Sequence, residues 1–222
     1  MASRRIVAFG SWAEDPLWEY VLGLCERDRP RLMFVPTAAA EDPQSTLDVY
    51  ERFRGRAEVS HLSFFPWPPD DLRDRALRQD VIAVGGGNTA NMLAVWRVHG
   101  FDAILRDAWQ AGVILCGGSA GAICWFEASV TDSFGPQLRG MRDGLGLLPG
   151  SACPHYDGEE RRRPTYTALI ANGFPPGVAI DDCAAVRFEG RELTEVLTTR
   201  DGSRAYRVTP DGEKPLEARL LA

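Results

Sequence analysis

Short apolar runs alternate with segments of helical periodicity along the first two-thirds of the chain. Five of these runs have the length of a buried strand: residues 5–9, 31–35, 59–64, 81–84 and 113–116. The segments between them, such as residues 18–27 and 45–54, carry apolar positions at mixed spacings of three and four, which is typical of helices. Continuous apolar strands that alternate with helices predict a mostly parallel sheet covered by helices on both faces, an α/β three-layer sandwich.

The last third of the chain has a different pattern. Short strand-like segments follow one another without intervening helices, at residues 179–180, 184–188, 194–197, 205–208 and 216–221. Asp201-Gly202 and Asp211-Gly212 separate some of them as tight turns. We expect these strands to be antiparallel additions at one edge of the sheet. With no repeat and no linker composition, residues 1–222 are predicted to form a single domain.

Composition narrows the class of protein. The 222 residues are 45% hydrophobic and 25% charged, which is ordinary for a globular protein, and the net charge is −6. An acidic chain argues against non-specific binding of nucleic acid, so no nucleic-acid partner is expected. The apolar run after Arg4 and Arg5 is too short for a signal peptide, and no run has the ~20 residues of a membrane span. We therefore expect a cytoplasmic protein without a membrane partner.

The cysteines point to the same compartment. They are odd in number, and no two have the CxxC spacing of a zinc site: Cys25, Cys116, Cys124, Cys153 and Cys183. Scattered cysteines in apolar surroundings are typical of free thiols in a reducing compartment. No metal and no organic cofactor is expected. The sequence leaves the oligomeric state open, and a homodimer is one candidate.

A serine lies on the turn after the fifth apolar run. Gly117-Gly118-Ser119-Ala120-Gly121 fits the G-x-S-x-G pattern, between a predicted strand and a predicted helix that includes residues 123–126. Small neighbours are needed because a nucleophile on such a sharp turn has strained backbone angles. The N–H group of Ala120 can donate to a developing oxyanion. A plain glycine-rich turn with a serine N-cap is the alternative.

A serine nucleophile needs a base, and the chain has three histidines. His61 lies inside a predicted strand, and His99 lies at the end of a predicted helix, where a cation suits the helix dipole. His155 lies at a junction between strand and loop, on the side where parallel sheets bind ligands. We therefore predict that His155 is the base, with a solvated surface histidine as the alternative.

The fourth apolar run leads into a glycine loop, Gly85-Gly86-Gly87-Asn88-Thr89. Glycines let a backbone approach a ligand closely and expose its N–H groups. The loop could therefore complete an oxyanion hole through Gly86 and Gly87, with Asn88 in contact with substrate. It could also cradle a phosphate, although it lacks the lysine of a P-loop. A tight turn capped by Asn88 or Thr89 is the third alternative.

A third group should orient the histidine. Asp132 follows the predicted elbow helix and is our choice. Glu127, Glu159 and Glu160 stay open as alternatives.

The only dense basic run is Arg161-Arg162-Arg163. Arg162 and Arg163 are candidates for a clamp on a substrate carboxylate, because the guanidinium fork matches a carboxylate. Tyr156, beside the histidine, is a further candidate for substrate binding. A solvated helix start is the alternative for the arginines.

Together, Gly85-Gly86-Gly87-Asn88-Thr89, Gly118-Ser119-Ala120-Gly121-Ala122 and Pro154-His155-Tyr156 resemble the peptidase E family of serine peptidases, which includes aspartyl dipeptidases and is related to cyanophycinases. The resemblance covers nearly the whole chain. It implies a sheet like that of class I glutamine amidotransferases, with Ser119 as nucleophile and His155 as base. Asp132 resembles the family's acidic member, although some relatives use glutamate. The loop after His155 is shorter than in the aspartyl dipeptidases, so aspartyl specificity is not expected to carry over.

The sequence therefore predicts a serine peptidase that cleaves short peptides through an acyl-enzyme. Two alternatives stay open. One is an amidase or esterase with the same triad. The other is a non-catalytic protein in which the glycine loop and Ser119 bind a small molecule.

Overall fold

The computed structural model describes residues 3–221. The strands of this part of the chain are β1 (Arg5–Phe9), β2 (Arg31–Val35), β3 (Glu58–His61), β4 (Val81–Val84), β5 (Ile114–Gly118), β6 (Phe126–Thr131), β7 (Arg139–Met141), β8 (Leu148–Cys153), β9 (Gly177–Ile180), β10 (Ala184–Glu189), β11 (Glu192–Thr198), β12 (Ala205–Thr209), β13 (Gly212–Pro215) and β14 (Arg219–Leu220). The α-helices are α1 (Asp15–Gly23), α2 (Pro43–Arg52), α3 (Leu72–Leu77), α4 (Thr89–Val98), α5 (Phe101–Ala111), α6 (Ala120–Ile123) and α7 (Arg162–Ala171).

The larger of two sheets has eight strands in the order β14-β11-β10-β1-β5-β4-β2-β3. The five strands from β1 to β3 in this order are parallel to one another. Strands β10 and β11 continue the sheet beyond β1 in antiparallel pairing. The mixed α/β class is as predicted, and so are the five strands of the parallel part.

Both faces of the central strands β1, β2, β4 and β5 are buried. Along β1, Ile6 and Ala8 pack on one side with residues of α3, α4 and α5, while Val7 and Phe9 pack on the other with residues of α1 and α2. The apolar runs are continuous because neither face of these strands meets water. The carboxyl ends of the parallel strands are left free to form a site.

The second sheet was not predicted. Its six strands have the order β13-β12-β9-β8-β6-β7, and it includes the segments at 179–180 and 205–208 that were expected at the edge of the first sheet. The pattern of apolar and polar residues identifies a strand but does not specify the strand with which it pairs. These segments were therefore assigned to the wrong sheet. The helix after Ser119 was also predicted too long: α6 ends at Ile123, and Glu127 lies on strand β6.

The end of β1 joins the two sheets. Phe9 is in register with Gly118 of β5, and the next residue, Gly10, accepts a hydrogen bond from the backbone N–H of His155 at 3.2 Å. A Cβ atom at Gly10 would overlap the carbonyl oxygen of Asp181, so the backbones are in close contact. The carboxyl ends of β5, β8 and β9 therefore meet around this one strand end. Within residues 3–221, no helix is long and apolar enough to cross a membrane.

Candidate active site

Ser119 occupies the turn between β5 and α6 with a strained backbone. Its φ of 54° and ψ of −114° lie where non-glycine residues are rarely found. The turn is possible because Gly121 packs directly on strand β4, where any Cβ atom would overlap the carbonyl oxygen of Val84. The serine is half-buried at the edge of the sheet. A strained serine between a strand and a helix is the arrangement that a nucleophile elbow would require.

The glycine loop after β4 faces this serine. A Cβ atom on Gly86 would lie 3.4 Å from the Cβ of Ser119, and Gly87 has a φ of 132° that favours glycine. Among the described residues, the N–H groups of Gly86, Gly87 and Ala120 donate to no other protein group. Free N–H groups on both sides of a serine are what a developing oxyanion requires.

His155 is held by a carboxylate that the sequence reading missed. Its Nδ1 lies 2.8 Å from Oδ1 of Asp182, and the two side chains are 20% and 29% exposed. A carboxylate accepts, so Nδ1 carries the proton and Nε2 is left as the basic nitrogen. Like Ser119, His155 has a positive φ, at 51°. No hydrogen bond joins Ser119 to His155 among the described residues; such contacts often tighten only when substrate binds.

Asp182 is itself fixed by the loop after His155. Its backbone N–H donates to Oδ1 of Asp157 at 2.7 Å, and the second oxygen of Asp157 accepts from Arg200 at 2.5 Å. Gly158 lies so close that a Cβ atom there would overlap Oδ2 of Asp182. The carboxylate is thus positioned by a charged hydrogen-bond chain and by one glycine.

The structure does not pair Asp132, the acid expected from the sequence, with His155. Asp132 is exposed at the end of β6, and no hydrogen bond connects its carboxylate to His155 in residues 3–221. Its neighbour Ser133 anchors the loop instead, accepting from the side chain of Asn88 at 3.0 Å and from the N–H of Ala90 at 3.2 Å.

The other acids considered from sequence also lie elsewhere. Glu127 accepts from the N–H of Gly150 at 2.9 Å, Glu159 pairs with Arg162, and Glu160 is exposed. A signal for Asp182 was present in the sequence, because it follows the apolar segment 179–180 at the end of a strand. The sequence did not predict the second sheet, in which strand β9 lies, and this sheet brings the end of β9 close to His155.

The two arginines predicted to clamp a substrate carboxylate are paired within the protein. Arg162 is 3% exposed, and its guanidinium binds Glu159 at 2.7 Å and the carbonyl of Val130 at 3.1 Å. Arg163 lies 3.2 Å from Glu213. Both guanidinium groups therefore already have a carboxylate partner within the protein.

Tyr156 and Asn88, the other predicted substrate contacts, also serve the fold. The ring of Tyr156 is buried under the guanidinium of Arg163, and its hydroxyl donates to Glu213 at 2.5 Å. Burial, together with this carboxylate, raises the pKa of Tyr156. Asn88 caps helix α4 by accepting from the N–H of Asn91 at 2.9 Å.

Asp181, directly before the carboxylate that holds His155, is 2% exposed. Its Oδ2 accepts from the N–H of Arg204 at 3.0 Å, and its Oδ1 is buried without a hydrogen-bond partner among the described residues. Burial, reinforced by the negative charge of Asp157, raises the pKa of Asp181 to about 6.

Comparison with known proteins adds an independent line of evidence. Residues 10–196 match the model described as Peptidase family S51. YgaJ of Bacillus subtilis (strain 168), described as an uncharacterized peptidase, is 46% identical over 213 residues, which are 92% of each chain. Peptidase E of Shewanella denitrificans is 30% identical over 145 residues, which are 61% of this chain and 60% of that protein.

Two solved structures share the fold at 18% identity. A peptidase from an acI-B1 Actinobacterium superposes with a TM-score of 0.68 over 97% of this chain and 95% of the other. A putative peptidase E protein from Listeria monocytogenes EGD-e superposes with a TM-score of 0.62 over 97% of this chain and 100% of the other. The mixed α/β fold is therefore shared with both of these structures.

Proposed function

The chain belongs to peptidase family S51 and is a serine-type peptidase, and we propose that it hydrolyses short peptides through Ser119, His155 and Asp182. The resemblance to peptidase E seen in the sequence is confirmed at the level of the family. The observation that carries the proposed triad is the 2.8 Å hydrogen bond between Nδ1 of His155 and Asp182, beside a serine on a strained turn.

In the proposed mechanism, Nε2 of His155 takes the proton of Ser119 as Oγ attacks the carbonyl carbon of the peptide bond. The oxyanion that forms accepts hydrogen bonds from the N–H groups of Ala120 and of Gly86 and Gly87. The imidazolium then protonates the amine, the C–N bond breaks, and an ester on Ser119 remains. Water, deprotonated by His155, hydrolyses this ester and restores the serine. Asp182 holds the tautomer and stabilises the imidazolium throughout.

The preference for an N-terminal aspartate is proposed to be weak or absent. A site discriminates strongly for a carboxylate only when a partner is free and positioned. Arg162 and Arg163 are already occupied by Glu159 and Glu213. Comparing Asp-X with Ala-X, Leu-X and Arg-X dipeptides under one condition tests this proposal, and a preference for Asp-X of about a hundredfold would contradict it.

Three broader expectations are also part of the proposal. A single domain is supported by one apolar cluster that includes both Leu115 of the first sheet and Leu148 of the second. A layering like that of class I glutamine amidotransferases is supported by helices on both faces of the first sheet. A cytoplasmic location is supported by the absence of disulfides among the five cysteines, all of which are free.

A fluorophosphonate probe tests the nucleophile directly. The wild-type protein should be labelled and should hydrolyse dipeptides, whereas Ser119→Ala should lose both properties with its fold intact, which circular dichroism would show. Ser60→Ala, on strand β3, is the matched control and should keep both. A Ser119→Ala protein with a tenth of the wild-type rate would remove this serine from the mechanism. If the protein is labelled but cleaves only esters or simple amides, the amidase or esterase alternative is favoured. If the protein is not labelled, the binding-protein alternative is favoured.

A further inference from the structure

A cavity of about 680 Å³ opens beside the proposed oxyanion loop. Gly85 and Gly86 form one wall, and a Cβ atom on Gly86 would lie 3.4 Å from the Cβ of Ser119. The opposite wall is helix α2, and Trp12, just after β1, closes one side. A group bound in this cavity would therefore lie against the glycine loop that faces Ser119.

The floor of the cavity is apolar. Trp12 and Phe34 pack edge to face with their ring centroids 5.7 Å apart, and Val49 of α2 completes the surface. Trp12 is only half-buried, so part of its indole faces the cavity. An indole face of this kind attracts both alkyl chains and cations.

The rim is negatively charged. Three carboxylates line the cavity, from Asp15, Asp48 and Glu51, against the single cation of Arg52. Arg52 is neutralised by Asp15, which lies 3.0 Å away. Asp48 accepts only from the neutral amide of Gln44 at 2.7 Å, and Glu51 forms no ion pair among the described residues. Two carboxylates thus remain without a countercharge at the mouth of an apolar cavity.

We infer that this cavity binds a lysine or arginine side chain of the peptide, at a residue flanking the cleaved bond. The alkyl stem would pack on Trp12 and Phe34, and the charged end would reach Asp48 and Glu51 on α2. A carboxylate side chain is disfavoured, because the one guanidinium at the rim is already paired. This inference rests on the proposed function, since it assigns the cavity to the substrate of Ser119.

Matched dipeptides isolate the contribution of the charge. Norleucine has the alkyl stem of lysine without the ammonium, so Lys-Ala is compared with norleucine-Ala, and Ala-Lys with Ala-norleucine. In one of the two series, kcat/KM should be about fivefold higher for the lysine peptide, as expected for two partly exposed ion pairs. The preference should shrink as salt is added, because exposed charges are screened.

The double variant Asp48→Asn with Glu51→Gln should bring the ratio of lysine to norleucine close to one. The control Asp211→Asn with Glu217→Gln makes the same change in net charge at exposed positions near the C-terminal strands, and it should keep the preference. Turnover that depends on Ser119 but shows no lysine preference would overturn the inference and leave the proposed function standing. If the Asp48/Glu51 double variant keeps the lysine preference, the inference is likewise overturned and the proposed function still stands.

Calorimetric binding of the four peptides to Ser119→Ala protein separates the remaining outcomes. If no peptide is hydrolysed by the wild type, selective binding of a lysine peptide that the double variant loses would uphold the cavity and overturn the proposed function. The absence of both turnover and lysine-selective binding would overturn both.

Discussion

The two halves of the proposed active site are held by different forces. Around Ser119 the chain is fixed by backbone contact, since Gly121 rests on Val84 with no space for a side chain. Around His155 it is fixed by polar contacts, from Asp182 to Asp157. The serine half therefore depends mainly on the absence of side-chain atoms, and the histidine half mainly on charge. Substitutions in the two halves should therefore affect different properties of the protein.

The largest effect is expected in the polar half. Asp182→Asn keeps the shape of the side chain but favours the wrong tautomer of His155, so kcat should fall by about 10⁴-fold, as in other serine triads. Asp132→Asn is the matched control and should keep most of the rate. Steady-state kinetics on a dipeptide measures both, and a larger loss in Asp132→Asn would return the role of the acid to that residue.

In the backbone half, the effect should be on stability. Gly121→Ala forces a methyl group against the carbonyl of Val84, and overpacking of this kind costs about 3 kcal/mol in the free energy of unfolding. Urea denaturation measures it. Gly23→Ala is the control, because a methyl group at the end of α1 would meet nothing within 4 Å. Equal stability of the two variants would show that the elbow can relax.

A glycine in the polar half should behave differently. At Gly158 an added methyl group would collide with the carboxylate end of Asp182, a flexible side chain that can move aside. We expect Gly158→Ala to fold with near-normal stability and to lose about 100-fold in kcat, because the carboxylate no longer meets Nδ1. A large loss of stability with normal specific activity would contradict the positioning role of Gly158.

The smallest effect concerns pH. Because the pKa of Asp181 is raised to about 6, the folded protein binds its proton more tightly than the unfolded chain does. Its contribution to stability is complete below its ordinary pKa and is lost as the pH rises through 6. Asp181→Asn should remove a slope of at most about 1.4 kcal/mol per pH unit between pH 4 and 6. Urea denaturation at several pH values tests this, with the exposed Asp201→Asn as control, and an unchanged slope would contradict it.

The difference between the two halves also explains which parts of the proposed site could be predicted from the sequence. The serine turn and the glycine loop were predictable because their requirements are local: small residues at fixed spacing between a strand and a helix. Asp182 was not, because it reaches His155 only through the second sheet, and the pairing of its strands is set by tertiary packing.

The pairing of Arg162 and Arg163 within the protein could not be predicted from the sequence for a related reason. The sequence shows three adjacent cations, but Glu213, which occupies Arg163, lies fifty residues further along the chain. A run of arginines indicates which ligand a site could bind only when the carboxylates that pair with those arginines inside the protein are known.

The junction at the end of β1 also has a consequence for how the chain folds. Strand β1 pairs on one side with β5 and on the other with β10, so its second neighbour is separated from it by nearly 180 residues. Contacts so distant along the chain are slow to form, because a long loop must close first. On the ribosome, β1 must wait for residues 184–189 before both of its edges are paired. The junction that brings His155 and Asp182 together should therefore form late, when most of the chain has emerged.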